Sequence, residues 1–267
     1  MNHEIERVPE ARPGALVTGA GRRLGRTVAE ALAADGWRVC IHYNRSGAEA
    51  DEVCRTIRGR GGTAASLGAD LEDLRAVQDL VARAEDVVGP LGCLVNNASL
   101  FEYDGPKKFE LDRWERHLAV NLTAPSLLAR DFAARVPEGE RGCIIHLLDQ
   151  KLWNLNPDFF SYTVSKIGLY GVLEMTSLAY APRVRVCGVA PGLILPSGKM
   201  TEESFERAHG KTPLGYGPTV AEIVQAVRFI LDTPSFNGQV ITIDGGESLQ
   251  RRLSDVQFDG RVGADPR

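Results

Sequence analysis

Tyr162 and Lys166 lie four residues apart in Ser161-Tyr162-Thr163-Val164-Ser165-Lys166. On a helix that spacing sets a phenol and an ammonium on one face. A neighbouring ammonium favours the phenolate, so the pair reads as a general acid that gives and takes a proton near neutral pH. The same spacing also suits a surface tyrosine above a solvated lysine, and three other segments favour chemistry. Ala15-Leu16-Val17-Thr18 runs into Gly19-Ala20-Gly21-Arg22-Arg23-Leu24-Gly25-Arg26, an apolar strand feeding a glycine-bearing turn and a helical pattern. Glycines let a backbone approach a pyrophosphate closely, and the N–H groups of a helix start favour negative charge. Such a turn also serves as a plain tight connection. Leu94-Val95-Asn96-Asn97-Ala98-Ser99 and Cys143-Ile144-Ile145-His146-Leu147-Leu148-Asp149 are apolar strands ending in polar side chains, the second thirteen residues before Tyr162.

These groups must be carried by regular elements, and the chain supplies them alternately. Short apolar runs at Ala15–Thr18, Arg38–Tyr43, Thr63–Gly68, Cys93–Asn96, Cys143–Leu148, Val184–Ala190 and Gln239–Ile243 read as buried parallel strands. Apolar residues spaced by three and four predict helices over Leu24–Asp35, Ala48–Arg60, Leu74–Val88, Asp112–Arg135, Phe160–Tyr180 and Val220–Leu231. Right-handed crossovers then give an α/β fold, a Rossmann-like doubly wound parallel sheet of about seven strands with helices on both faces and the ligand at its carboxyl edge. One dinucleotide-binding and catalytic domain over residues 1–246 accounts for this pattern. Residues 191–217, rich in Pro and Gly around a short polar helix pattern, break the alternation and form a candidate lid. Residues 247–267 read as a charged tail, disordered at its end, whose Ser248-Leu249-Gln250-Arg251 is expected to dock onto a neighbouring subunit.

The order of strand, glycine turn, Asn-Asn-Ala, Asn121 on a helix, then Tyr162 and Lys166 resembles the short-chain dehydrogenase/reductase family from about Gly14 to Gly246. The usual turn of that family is Thr-Gly-x-x-x-Gly-x-Gly, and here Arg23 replaces its middle glycine. That replacement, the second-strand segment Ile41-His42-Tyr43-Asn44-Arg45-Ser46 and the run Asn97-Ala98-Ser99-Leu100-Phe101 are similar to pteridine reductases. So is Asp149, which stands where most members carry a catalytic serine.

The resemblance implies that Tyr162 delivers a proton, that Lys166 binds the nicotinamide ribose and biases Tyr162 toward its phenolate, and that Asn121 holds a water linking Lys166 to solvent. Pro125 makes a helix bend near Asn121 expected. Gly19, Arg22, Leu24 and Gly25 of the turn would line the cofactor, with His42 near the end of the second strand and Asn44 and Ser46 just beyond it. Asp70 and Leu71 resemble the family's adenine-contacting pair. Asn97, Ala98 and Ser99, then Pro191 and Gly192, complete the implied crevice.

Charge argues for the cofactor. An enzyme selecting NAD places an acid near the end of the second strand, whereas this strand ends Tyr43-Asn44-Arg45-Ser46. Arg23 and Arg45 are expected to meet a ribose 2′-phosphate, each charge-assisted bond contributing roughly 1.5 to 3 kcal/mol, which predicts NADPH.

Asp149 bears on the substrate. A serine would donate to a carbonyl, but an ionised carboxylate only accepts and repels a developing alkoxide. It suits a ligand with N–H donors; alternatively it is protonated and passes its proton to a ring nitrogen. Phe101 would stack on a flat ring, Ser99 would add a polar contact, and Trp153 and Phe159 are further candidates for the pocket edge. The predicted activity is NADPH-dependent hydride transfer to a dihydropteridine such as dihydrobiopterin, dihydromonapterin or dihydrofolate. A broader carbonyl reductase, acting for example on a 3-oxoacyl thioester, is the alternative within enzymes. A non-catalytic NADP-binding sensor is the alternative outside them, and the presence of both Tyr162 and Lys166 weighs against it.

Composition bounds the partners. The chain has 267 residues and a net charge of −4, with acidic and basic residues interspersed, which argues against a nucleic-acid or membrane surface. Charges in Met1-Asn2-His3-Glu4-Ile5-Glu6-Arg7 and the lack of an apolar stretch of roughly 18 residues predict a soluble cytoplasmic protein. Of the five cysteines, Cys40, Cys93, Cys143 and Cys187 lie in apolar strand-like runs and Cys54 in a helical one, without metal or Cys-x-x-Cys spacing. Buried free thiols are expected, and no metal. The resemblance further implies a homotetramer whose dimers form through the helices over Asp112–Arg135 and Phe160–Tyr180.

Overall fold

The computed structural model describes residues 12–197 and 200–258. Seven strands form one parallel sheet in the order β3-β2-β1-β4-β5-β6-β7. These are β1 (Gly14–Val17), β2 (Arg38–Tyr43), β3 (Thr63–Gly68), β4 (Leu91–Asn96), β5 (Gly142–Leu147), β6 (Val184–Pro191) and β7 (Val240–Ile243). Every residue of β1, β4 and β5 is buried, as a sheet covered on both faces requires. Alternation along β1 divides the core. Ala15 and Val17 pack with α1 (Arg23–Ala34), α2 (Gly47–Gly59) and α9 (Val220–Asp232), while Leu16 packs with α4 (Leu80–Val88), α6 (Ala124–Arg135) and α7 (Phe160–Ala179). The sheet order reverses between β1 and β4, and this switch point opens a crevice at the carboxyl ends of the strands.

Two expected helices are interrupted. The run over Leu74–Val88 divides at Asp79 into α3 (Leu74–Gln78) and α4. The run over Asp112–Arg135 begins as α5 (Leu111–Leu118), widens into a π-helical turn at Ala119–Thr123 and resumes as α6. Pro125 has no N–H for the carbonyl four residues back, which is that of Asn121, so an α-helical ladder lapses there. The widened turn carries Asn121 inward, as the expected bend requires. The short polar helix within residues 191–217 is α8 (Glu202–His209), with the Thr201 hydroxyl accepting from the Ser204 N–H.

The segment after β7 differs most from its reading as a polar tail. Residues 247–258 turn back over the sheet edge through two 3₁₀ turns, Glu247–Leu249 and Val256–Phe258. Glu247, Asp255 and Val256 are buried, and Lys151 Nζ pairs with Asp255 Oδ2 at 2.6 Å. The Asn154 amide donates to the Gln250 carbonyl at 2.7 Å. The start at Met1–Arg7, Gly198 in the candidate lid and the expected disorder at the chain end over residues 259–267 lie outside the described residues.

Candidate active site

The crevice is built first from strand ends. The Thr18 hydroxyl accepts the N–H groups of Asn97 at 2.9 Å and Ala98 at 3.0 Å, and Asn97 Nδ2 donates to the Thr18 carbonyl at 2.7 Å. These bonds lock the end of β4 beside the glycine turn. Gly19 adopts φ +64, and a Cβ there would meet Ala98 Cα at 3.0 Å, so both conformation and contact call for glycine. His42 holds the turn from the other side. Its Nδ1 accepts from the Gly19 N–H at 3.1 Å, which leaves Nε2–H to donate to the Ala69 carbonyl at 3.1 Å. Burial holds this imidazole down to about 4, so it is neutral at pH 7.

A cavity of about 500 Å³ follows. It is lined by Gly19, Arg22, Arg23, Leu24 and Gly25, by His42, Asn44, Arg45 and Ser46, and by Asp70, Leu71, Asn97, Ala98 and Ser99. A second cavity of about 450 Å³ shares Arg23, Leu24, Asn97 and Ser99 with it, so the two make one continuous crevice. Phe101, Asp149, Tyr162, Lys166, Pro191 and Gly192 line this second part.

Within it the Tyr162 hydroxyl donates to Asp149 Oδ2 at 2.7 Å, while Asp149 Oδ1 accepts from the Lys151 N–H at 2.8 Å. Burial raises the Asp149 carboxyl, against the pull of the Lys151 N–H, the Tyr162 hydroxyl and the two nearby ammonium groups. Lys166 Nζ donates to the Leu147 carbonyl at 2.7 Å and sits 5.7 Å from the Tyr162 ring centre. Burial lowers this lysine to about 8. Tyr162 itself is pushed well above its ordinary value, by burial first and then by the Asp149 charge. The expected bias toward phenolate is therefore absent: desolvation and a carboxylate outweigh the ammonium, and Tyr162 is a neutral donor. Phe101 closes the pocket edge-on to Tyr162, with ring centres 4.6 Å apart, and stacks on Phe159 at 4.2 Å.

The family model of the short chain dehydrogenases matches residues 14–208. The chain belongs to the short-chain dehydrogenase family. Among curated relatives, Pteridine reductase 1 of Leishmania tarentolae is 32% identical over 283 residues, covering 90% of this chain and 97% of the relative. A 3-oxoacyl-[acyl-carrier-protein] reductase of Synechocystis is 30% identical over 237 residues, covering 87% and 95%. Among solved structures, FolM alternative dihydrofolate reductase 1 of Brucella canis, complexed with NADP, is 42% identical at a TM-score of 0.88, covering 92% of this chain and 97% of that one.

This short-chain dehydrogenase brings together most of the residues that its sequence singles out, with three differences. The Arg23 guanidinium donates to the Pro196 carbonyl at 2.7 Å, toward the candidate lid, so it is committed there rather than free at the far end of the crevice. Arg22 pairs with Glu49. Arg23 also adopts φ 52, the left-handed conformation that explains why glycine is usual at this place. Asn121 lines neither cavity: its Oδ1 accepts from the Leu100 N–H at 2.7 Å, and its Nδ2 donates to the Leu100 carbonyl and to Ser165 Oγ. Its side chain thus ties the Ser99–Leu100 segment to α7. Trp153 turns outward to Thr242 and Tyr170, whereas Phe159 backs Phe101.

Sequence reasoning missed Gln150, Lys151, Glu247, Asp255 and Gln257, which line the pocket beside Asp149. Gln150 and Lys151 follow Asp149 directly, and that adjacency was a usable signal. All five cysteines are free and buried, as expected. Among the described residues no group of three His, Cys, Asp or Glu side chains is placed to hold a metal, and no helix is long and apolar enough to cross a membrane.

Proposed function

We propose that this chain reduces a dihydropteridine with NADPH, carbon of the ring receiving hydride and the neighbouring nitrogen a proton. The observation that carries this reading is the 2.7 Å bond from the Tyr162 hydroxyl to Asp149 Oδ2 beside Phe101. A carboxylate there opposes a developing alkoxide but accepts the N–H edge of a nitrogen heterocycle. Phe101 offers a flat apolar wall for the ring. Tyr162, neutral and hydrogen-bonded, donates the proton, and Asp149 holds the phenol and receives substrate N–H groups on its remaining lone pairs.

The crevice fits a dinucleotide on its own chemistry. The first turn of α1 has no acidic residue and no side-chain cap on its N–H groups, and no acid ends β2. Gly19, Leu24 and Gly25 would hold the pyrophosphate, Asp70 and Leu71 the adenine, Arg45 and Ser46 the 2′-phosphate, and Lys166 the nicotinamide ribose. Arg23, bonded to Pro196, would clasp the segment over residues 191–217 as a lid. NADPH supplies the hydride when bound.

A second reading, reduction of a 3-oxoacyl thioester, is favoured by the Synechocystis relative. Asp149 stands against it. A silent NADP sensor is disfavoured by the intact Tyr162–Lys166 pair. Exposed Ile167, Met175 and Leu178 on α7 and exposed Leu249 and Leu253 after β7 support a homotetramer, because exposed apolar side chains mark interfaces; a monomeric mass in solution would contradict it. Five buried thiols suit a reducing, cytoplasmic setting.

Purified protein with NADPH, offered dihydrobiopterin, dihydromonapterin, dihydrofolate and a 3-oxoacyl thioester side by side, tests the function. At least one dihydropteridine is expected to be turned over faster than the thioester. Faster thioester reduction would overturn the reading, and equal or better turnover with NADH would overturn the cofactor.

A further inference from the structure

Glu247 follows the turn Asp244-Gly245-Gly246 after β7 and is 3% exposed on the wall of the pocket that holds Asp149. Its Oε1 accepts from Gln150 Nε2 at 3.2 Å, and its carboxyl accepts the Leu193 N–H at the base of the lid. Its Oε2 faces the Gly192 turn, where a Cβ would come within 3.2 Å. Gln150 is buried too, and its own Oε1 meets no donor. A buried acceptor beside an acid is satisfied when that acid carries a proton and the amide turns to meet it.

The charged and titratable groups around Glu247 come from every element packed on it. The turn after β5 brings Asp149 and Lys151, α7 brings Tyr162 and Lys166, and the glycine turn brings Arg23. Its own turn holds Asp244, whose carboxylate accepts the Gly246 and Ser248 N–H groups. The segment after β7 adds Arg252 and also Asp255, which is paired with Lys151. Burial first, then the charges of Asp149 and Asp255, push the Glu247 carboxyl up to about 7, against the pull of the Leu193 N–H and Arg252.

We propose that Glu247 is a positioning residue of the reductive pocket which, by gaining and losing its proton, sets the pH range over which the Tyr162–Asp149 pair delivers a proton. This rests on the reductase reading above. With Glu247 protonated and Asp255 neutralised by Lys151, Asp149 is the one unpaired carboxylate that faces the substrate. With Glu247 ionised, a second unpaired negative charge in the same low-dielectric space tightens the hold of Tyr162 on its proton. Proton delivery then slows on the alkaline side of neutrality.

Glu247→Gln is the discriminating variant, since it keeps the volume, still accepts from the Leu193 N–H and offers an amide donor to Gln150 Oε1. Its kcat/KM for the accepted dihydropteridine is compared with wild type from about pH 5.5 to pH 9, the range that brackets a carboxyl titrating near neutrality. The alkaline decline is expected to begin near pH 7 in wild type and at least about one pH unit higher in E247Q, with the KM for NADPH within about twofold. The Tm of E247Q is also expected to gain on wild type as pH rises from about 5 to about 8, because only the wild type must then bury a charge. Superimposable pH profiles, or a Tm difference that stays flat with pH, would overturn the role of Glu247. No dihydropteridine turnover by wild type would instead fell the reductase reading, and this proposal with it.

Discussion

Tyr162, inside α7, donates a hydrogen bond from its hydroxyl to Asp149 Oδ2, just past β5, at 2.7 Å, so donor and acceptor come from different elements that meet at the carboxyl edge of the sheet. Asp149 is fixed from its other oxygen by the Lys151 N–H, and Lys166 is fixed by the Leu147 carbonyl. Backbone thus orients Asp149 and Lys166, and Asp149 in turn orients the Tyr162 hydroxyl.

Tyr162→Phe removes the proton donor and leaves Asp149 Oδ2 without its hydroxyl partner. Turnover of the dihydropteridine is expected to fall by about 10² to 10⁴, and urea unfolding to show a loss of about 1–3 kcal/mol. Retained turnover would mean that another group supplies the proton.

Arg45→Ala should lower the preference for NADPH over NADH by about tenfold to a hundredfold, the worth of one charge-assisted bond. Arg23→Gly should behave differently. It relieves the left-handed φ of 52 and breaks the bond to Pro196, so stability should stay within about 1 kcal/mol while the KM for NADPH rises. Kinetics with both nucleotides check the pair.

Acid sensitivity follows from two buried histidines. Burial holds His42 down to about 4 and His146 to about 3, against an unfolded value of 6.5. The unfolded chain takes these protons first, so the stability they carry is complete above pH 6.5 and is lost as pH falls through 4 and 3. At about pH 5 each should already cost the fold on the order of 2 kcal/mol. Urea midpoints at pH 7 and pH 5 measure the loss, and His42→Gln should reduce its slope.

Asp255→Ala would leave the Lys151 ammonium buried with its ion-pair partner gone, costing about 3–5 kcal/mol. The double variant Lys151→Met with Asp255→Leu should recover most of that loss. Chemical denaturation of the three proteins tests whether the segment after β7 is held by this pair.

The strands and the crevice were legible because buried parallel strands are short apolar runs, and because functional groups sit where those runs end. Thr18, Asn97 and Asp149 each follow such a run. The state of Tyr162 was not legible: spacing revealed the ammonium at Lys166 but gave no measure of the burial that outweighs it. Glu247 and Asp255 read as solvated because their partners, Gln150 and Lys151, lie 97 and 104 residues away in sequence, and a buried polar contact over such a distance leaves no local pattern. Val256 and Phe258 amid that polar stretch were the only hint, too short to show a period. Arg23 was legible as a departure from glycine, but its turn toward Pro196 depends on the fold of the lid.

The most direct test of the central claim is kcat/KM of Asp149→Ser with NADPH, measured on the preferred dihydropteridine and on a 3-oxoacyl thioester. The account predicts a loss of at least about a hundredfold on the dihydropteridine, with nucleotide binding kept and any thioester activity equal or improved. Dihydropteridine turnover that survives the substitution intact would contradict it.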